Sequence, residues 1–121
     1  FLSTKGPLTI NRQGPGATGN TTHGYFGGGF TPAAKSSVDR IDYSNDTATA
    51  VAKGPLSVAR YNLAATGNSS FGYFAGGVAP AATSLVDRID YSNDTETASP
   101  KGPLTNVEYG NTACSPVANG L

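Results

Sequence analysis

The sequence is poor in the residues on which many catalytic, metal and disulfide sites depend. It contains no tryptophan, no methionine, one cysteine (Cys114) and one histidine (His23). A single cysteine excludes an intrachain disulfide, and one histidine does not make a site that needs several His or Cys ligands. We therefore expect no metal and no cofactor, and we expect Cys114 to be either a small half-buried side chain or an interchain bridge.

Charge is equally scarce, and it is balanced. Only 13% of the residues are charged, and eight basic side chains match eight acidic ones. Nucleic-acid interfaces carry a basic patch, which is lacking here. No apolar run approaches the roughly 18 residues of a membrane span. We therefore expect neither nucleic acid nor membrane among the partners.

What the sequence does contain is an internal repeat. Lys-Gly-Pro-Leu occurs at residues 5–8, 53–56 and 101–104, so that 53 − 5 and 101 − 53 both give a period of 48. Between residues 5–52 and 53–100, 30 of 48 aligned positions are identical. A fixed period of this length is typical of solenoids, propellers and arrays. The chain is thus divided into units 5–52 and 53–100 and a partial unit 101–121, all within one domain, 1–121.

Each unit predicts short strands joined by turns. In the second unit, residues 62–66 and the aromatic run 71–75 both end in glycine-containing turns. Residues 85–91 form a third strand, and a Ser-Asn-Asp reversal leads to a fourth at 95–98, which Pro100 ends. No window has apolar residues at helical spacing over three turns. We therefore predict an all-β fold, a β-propeller with four-stranded blades, of which this chain holds about two and a half.

The same residues resemble the kelch-type repeat. A Pro followed by an Arg (residues 55–60), an aromatic strand ending in Gly-Gly (73–77) and a Tyr-bearing strand (86–91) follow the order of that motif. The fourth strand departs from it, because Ala50 and Ala98 occupy the place where the family often has Trp. The units also resemble repeats of predicted structural proteins of marine tailed bacteriophages. The resemblance implies a propeller blade and a virion or extracellular location.

Two and a half blades do not close a propeller, which needs about 4 to 8. The partners we expect are therefore other copies of the chain or the remaining blades of a longer chain. The start at Phe1 favours a segment of a longer protein, whereas the degenerate third unit, in which Glu108 replaces the repeated Arg, is typical of a terminal unit.

The repeated charges are predicted to be structural. Side chains alternate along a strand, so Val86, Arg88 and Asp90 share one face and Asp87, Ile89 and Tyr91 share the other. Both faces of a blade pack on neighbours, and a buried charge is tolerated when it is paired, so an Arg–Asp pair is expected at every blade junction. The alternative is a ring of Asp ligands. The residues concerned are Arg12, Asp39, Arg40 and Asp42 in the first unit and Arg60, Asp87, Arg88 and Asp90 in the second.

The glycine pairs that close the aromatic strands are also predicted to be structural, as turn residues. These residues are Gly28, Gly29, Gly76 and Gly77.

A catalytic carboxylate pair occurs once, whereas these carboxylates recur in each unit, so we do not expect an enzyme. Our first hypothesis is a noncatalytic structural or adhesive module, such as a phage tail or capsid appendage, in contact with virion proteins. The alternative is an extracellular carbohydrate-binding propeller that stacks cell-surface glycans on Phe30, Tyr61 or Phe71. A third hypothesis is an enzyme whose catalytic residues lie outside this segment. Differences between the units gather in the loops after the Gly-Gly and after the Arg, where loops carry contacts on a rigid scaffold, although neutral drift explains the same pattern.

Overall fold

The computed structural model describes residues 3–107, which form two four-stranded antiparallel sheets and almost no helix. Each sheet is a meander in which the strands pair in the order of the chain. The first sheet contains β1 (Gly16–Gly19), β2 (His23–Gly27), β3 (Val38–Asp42) and β4 (Val51–Lys53). The second contains β5 (Ala64–Gly67), β6 (Phe71–Ala75), β7 (Val86–Asp90) and β8 (Ser99–Lys101). One turn of 3-10 helix follows the third strand of each sheet, at Tyr43–Asn45 and Tyr91–Asn93.

The predicted strands agree with the structure at β6 and β7 but not at the fourth strand. We placed that strand at residues 95–98 and expected Pro100 to end it, which is wrong, because β8 is Ser99–Lys101 and has Pro100 at its centre. Pro100 lies opposite Asp87 of β7, and within residues 3–107 no strand pairs with the other side of β8. An edge strand tolerates proline because its outward N–H has no ladder partner to lose.

Strand register gives each sheet two distinct faces. In the first sheet Tyr25 lies opposite Arg40, and Val38 belongs to the same face. Phe26 lies opposite Asp39 on the other face, together with Ile41. The second sheet repeats this register at Tyr73 with Arg88 and at Phe74 with Asp87. We call these the tyrosine face (Tyr25, Val38, Arg40; Tyr73, Val86, Arg88) and the phenylalanine face (Phe26, Asp39, Ile41; Phe74, Asp87, Ile89).

The core lies where the tyrosine face of the first sheet packs on the phenylalanine face of the second. A Cβ atom on Gly27 would lie 2.8 Å from the Phe74 ring, so the sheets approach closely only because this position lacks a side chain. The first strands, β1 and β5, also contact each other. The buried cluster consists of Tyr25, Val38, Leu56, Leu63, Phe74, Ile89 and Ala98.

The repeated Lys-Gly-Pro-Leu segment joins the two sheets. Ala98 N donates to Pro55 O at 2.8 Å within the second unit, and Leu56 N donates to Ser36 O of the first unit at 2.7 Å. The third unit begins in the same way, because Leu104 N donates to Ser84 O at 2.8 Å. The segment therefore holds the start of each unit against the preceding sheet.

Some expectations fall on residues that the structure does not describe. Cys114, Glu108 and the remainder of the third unit, as well as Phe1, lie outside residues 3–107. Within that range no helix has the length and apolar character needed to cross a membrane.

Candidate functional site

Arg60 and Asp87 form a buried ion pair inside the second unit. Arg60 lies in the loop before β5 and Asp87 on β7, and both side chains are fully buried, with 3.0 Å between Arg60 Nη2 and Asp87 Oδ2. The guanidinium also donates to Gly76 O at 2.6 Å and to Phe74 O at 3.1 Å. Ser57 donates to the carboxylate through its N–H and its hydroxyl, at 2.9 and 2.6 Å. This ion pair holds the loop that precedes β5 against the sheet of the same unit.

The first unit contains the same arrangement. Arg12 Nη2 lies 3.2 Å from Asp39 Oδ2, again with both side chains fully buried. Arg12 donates to Gly28 O at 2.7 Å, and Thr9 donates to Asp39 through its N–H and hydroxyl. A carboxylate enclosed in this way has no surface to offer a ligand, so the arrangement of Asp39 and Asp87 does not fit an Asp ligand ring.

The backbone conformation of the glycine pairs orients the carbonyl groups that accept hydrogen bonds from these arginines. All four have positive φ, from 71° at Gly76 to 106° at Gly29, a conformation that side-chain-bearing residues rarely adopt. Gly28 is also close-packed, because a Cβ atom there would lie 2.6 Å from Arg60 O. The glycines therefore turn the chain so that the Gly28 and Gly76 carbonyls face Arg12 and Arg60.

An Arg–Asp pair does lie at the junction between the units, but it joins Arg40 to Asp94. The two fully buried pairs each lie within one unit, so they are not the junction pairs that we expected. Asp42 and Asp90 form no ion pair with an arginine of the described range, and each instead caps the 3-10 turn that follows it. Ser44 donates to Asp42 through its hydroxyl at 2.7 Å and its N–H at 2.9 Å. These bonds hold the pKa of Asp42 below its ordinary value, and equivalent bonds from Ser92 do the same for the pKa of Asp90.

Asp94 is the carboxylate that forms ion pairs with side chains of the first sheet. We did not single it out from the sequence. Its side chain, 9% exposed, accepts a 2.7 Å hydrogen bond from Tyr25 and lies 3.0 Å from Arg40 and 3.6 Å from Lys53. Burial by itself raises the pKa of Asp94, but the Tyr25 bond and the charges of Lys53 and Arg40 outweigh burial and lower it. The ring of Tyr91 stacks on Tyr25 with centroids 5.1 Å apart. The available signal was the identical Tyr-Ser-Asn-Asp-Thr turn of both units.

Two of the three aromatic candidates meet in an apolar groove between the loops of the two units. Phe30 and Tyr61 pack edge to face, with ring centroids 5.0 Å apart, and Phe30 is 37% exposed. The groove has a volume of about 460 Å³ and is also lined by Pro32, Val58 and Pro80. At the repeat-equivalent positions stand Val78 and Gln13, respectively, so the aromatic pair is formed by residues that differ between the units.

Phe71, the third aromatic candidate, lies elsewhere. It begins β6, at the opposite end of that strand from the Val78 loop. The guanidinium of Arg88 lies 4.1 Å from the centroid of its ring. Arg88 therefore occupies one face of this ring, where a sugar would otherwise stack.

Comparison with known proteins found neither a matching family model nor a matching curated protein.

Proposed function

We propose that this chain is a noncatalytic segment of a β-propeller and serves as a structural or adhesive module of a larger assembly. The support for a propeller is the pair of four-stranded meanders with the same register, whose first strands contact each other. Propellers repeat such sheets radially around a centre. The Lys-Gly-Pro-Leu segment adds a connection that recurs at the start of the third unit.

The observation that carries the noncatalytic assignment is that the repeated ionisable groups hold the scaffold together. Arg60 and Asp87 neutralise each other in the interior, as do Arg12 and Asp39. A carboxyl group that acts as a general acid or base must lie within hydrogen-bond reach of a substrate, and Asp39 and Asp87 are fully buried. Asp94 is likewise engaged by Tyr25.

The assembly that we propose is a phage tail or capsid appendage, in a virion or extracellular location. Its support is the resemblance of the units to repeats of predicted phage structural proteins. The partners would be further blades, from other copies or from a longer chain, and other virion proteins.

Mass spectrometry of purified particles tests this proposal. Trypsin cleavage after Arg40, Lys53, Arg88 and Lys101 releases peptides 41–53 and 89–101, which differ in sequence and so identify the two units separately. We expect both peptides in gradient-purified particles whose genome carries the gene, enriched relative to the host lysate. Particles that lack both peptides would contradict the proposal.

A second candidate function is carbohydrate binding at the Phe30–Tyr61 groove. The observation that favours it is a partly exposed aromatic pair in a concave site, formed at positions where the two units differ. Aromatic rings with exposed faces offer large rigid contact surfaces, and a tyrosine adds a polar hydroxyl. Binding of glycans to the intact chain, and its loss on substitution of Tyr61, would distinguish this function from a purely structural one.

A further inference from the structure

Residues that are identical in the two units differ in burial, and the differences follow the faces. Tyr25 is 1% exposed, whereas its equivalent Tyr73 is only half-buried. On the other face the order reverses, because Phe74 is 0% exposed and its equivalent Phe26 is half-buried. The same holds for the pairs Val38 with Val86 and Ile89 with Ile41. Among residues 3–107, each sheet is therefore covered by the other sheet on one face, and the two remaining faces are of opposite kinds.

The covered junction shows what a tyrosine face binds. Tyr25 stacks on the ring of Tyr91, and its hydroxyl donates a hydrogen bond to Asp94. Asp94 also forms ion pairs with Arg40 and Lys53. On the second sheet the equivalent residues, Tyr73, Arg88 and Lys101, have no such turn packed against them within residues 3–107.

The opposite end of the molecule carries the complementary groups. The equivalents of Tyr91 and Asp94 in the first unit are Tyr43 and Asp46. Tyr43 is 47% exposed, and Asp46 has a 3.6 Å ion pair with the exposed side chain of Lys5. One uncovered face therefore has the cations and the tyrosine, and the other has the acidic turn that the junction pairs with them.

We propose that a second copy of the chain places its phenylalanine face, with Tyr43 and Asp46, on the tyrosine face of the second sheet. This proposal rests on the proposed function, and it identifies a second copy of the chain as the partner of the two remaining faces. The 121 residues contain two Tyr-Ser-Asn-Asp-Thr turns, at 43–47 and 91–95, and both already belong to the two sheets. The turn at 43–47 has no second sheet packed on it within residues 3–107, so a second copy can bring this turn to the tyrosine face of the second sheet. The contact joins two different faces, so it is head-to-tail and leads to a ring or an open chain of copies.

The charges on the two faces are complementary, so a substitution on each face can test the contact separately. In the intermolecular contact, the partner's Asp46 would take the place that Asp94 has in the junction, near Tyr73 and Arg88, while the partner's Lys5 already supplies the cation that Lys53 supplies in the junction. Removing one member of a desolvated, hydrogen-bonded charge pair weakens association by about thirtyfold or more. Asp46→Lys disables only the phenylalanine face, and Arg88→Glu disables only the tyrosine face.

Sedimentation velocity of the full chain and these two variants tests the proposal. We expect the wild-type chain to associate as its concentration rises, and each variant alone to remain monomeric at concentrations where the wild type associates. An equimolar mixture of the two variants retains one intact face of each kind and should associate at least to a heterodimer, because Asp46 of one variant meets Arg88 of the other. Lys35→Glu reverses a charge in the loop between β2 and β3, outside both faces and at a position where the second unit has Thr83, and it should associate like the wild type. Circular dichroism checks that all variants keep the strand content of the wild type, and the milder Tyr73→Phe replaces Arg88→Glu if that variant does not fold.

A wild-type chain that stays monomeric, or variants that associate as it does, would overturn the interface. A mixture that contains no heterodimer would do the same. These results are independent of the particle experiment: a monomeric chain found in purified particles contradicts the interface alone, whereas an associating chain that is absent from particles contradicts the proposed function alone.

Discussion

The Tyr25 hydroxyl donates a 2.7 Å hydrogen bond to Asp94, which lies 69 residues further along the chain and in the other unit. Burial and this bond both raise the pKa of Tyr25, so the hydroxyl keeps its proton and remains a donor at neutral pH. Asp94 is in turn kept ionised by Tyr25, Lys53 and Arg40. The two sheets are thus joined by a charge-assisted bond as well as by apolar packing.

Replacing Asp94 should therefore destabilise the fold more than replacing its repeat equivalent. Asp94→Asn removes the charge that faces Arg40 and Lys53, and we expect a loss of about 2 kcal/mol in the free energy of unfolding. Asp46→Asn changes an exposed residue that is paired only with exposed Lys5 in the described range, so its effect should stay within about 0.5 kcal/mol. Urea unfolding at equal concentration, with the association state of each variant checked, measures both. Equal losses would contradict the role of Asp94.

The contribution of Asp94 should also depend on pH. Its pKa in the folded chain lies below the ordinary value of 3.8, so the unfolded chain binds the proton more tightly than the folded chain does. Stability from this group is then fully present above pH 3.8 and is lost as the pH falls through the folded pKa. We expect the difference in unfolding free energy between wild type and Asp94→Asn to shrink on acidification through this range. A difference that grows on acidification would contradict the assignment.

Features that depend on neighbours along the chain could be predicted from the sequence. The aromatic run Phe71–Ala75 closed by glycines is β6 as predicted, and Asn68 accepts backbone hydrogen bonds in the turn before it. The repeat period likewise reappears as two sheets with identical register. The predicted position of the fourth strand was wrong because the residue pattern does not indicate that Pro100 lies on an edge strand. On the outer side of an edge strand, the backbone N–H that proline lacks would have had no ladder partner.

Features that depend on which elements meet in space could not be predicted. Arg12 pairs with Asp39 rather than with an Asp of another unit because the loop before β1 crosses its own sheet. Nor does the sequence distinguish Tyr25 from Tyr73, which have identical flanking residues, Gly and Phe. Their difference in burial arises from the neighbouring sheet, so it appears only when the sheets are packed.

The buried pair in the second unit should be the most sensitive ionic site of the described chain. Arg60→Met leaves Asp87 buried without a countercharge, and we expect a loss of about 3 to 5 kcal/mol. Arg60→Lys keeps the charge but not the planar fork that reaches Gly76 and Phe74, so its loss should be smaller than that of Arg60→Met. Arg88→Met is the matched control, since it removes a partly exposed arginine, and it should cost about 1 kcal/mol or less. Denaturant unfolding compares the three, and an Arg60→Met chain as stable as Arg88→Met would contradict a structural role for the pair.

The repeated Lys-Gly-Pro-Leu segment offers a test in which the same substitution is made in two contexts. A Cβ atom at Gly54 would collide with the backbone carbonyl of Glu96, and the Gly54 N–H is fixed by a 2.8 Å bond to Asp94 O. At Gly102 the Cβ atom would meet nothing within 4 Å among the described residues. We expect Gly54→Ala to cost about 1 to 3 kcal/mol and Gly102→Ala to change stability by about 0.5 kcal/mol or less. Thermal unfolding of the two variants checks this, and equal shifts would show that the segment packs alike in both units.

The aromatic pair of the groove provides the test of carbohydrate binding. If a sugar ring packs on Phe30 and Tyr61, removing either ring forfeits an aromatic contact of about 0.5 to 1.5 kcal/mol, which is roughly a two- to tenfold loss of affinity. We expect Phe30→Ala and Tyr61→Ala each to weaken, by this factor, the binding of a glycan first identified on an array with the intact chain. Phe71→Ala is the control, because its ring contacts the Arg88 guanidinium on one face and lies at the other end of β6, away from the groove. Isothermal titration with the three variants separates the sites. If Phe71→Ala alone weakens binding, the groove is not the site, and if the intact chain binds no glycan, the structural role remains as the proposal.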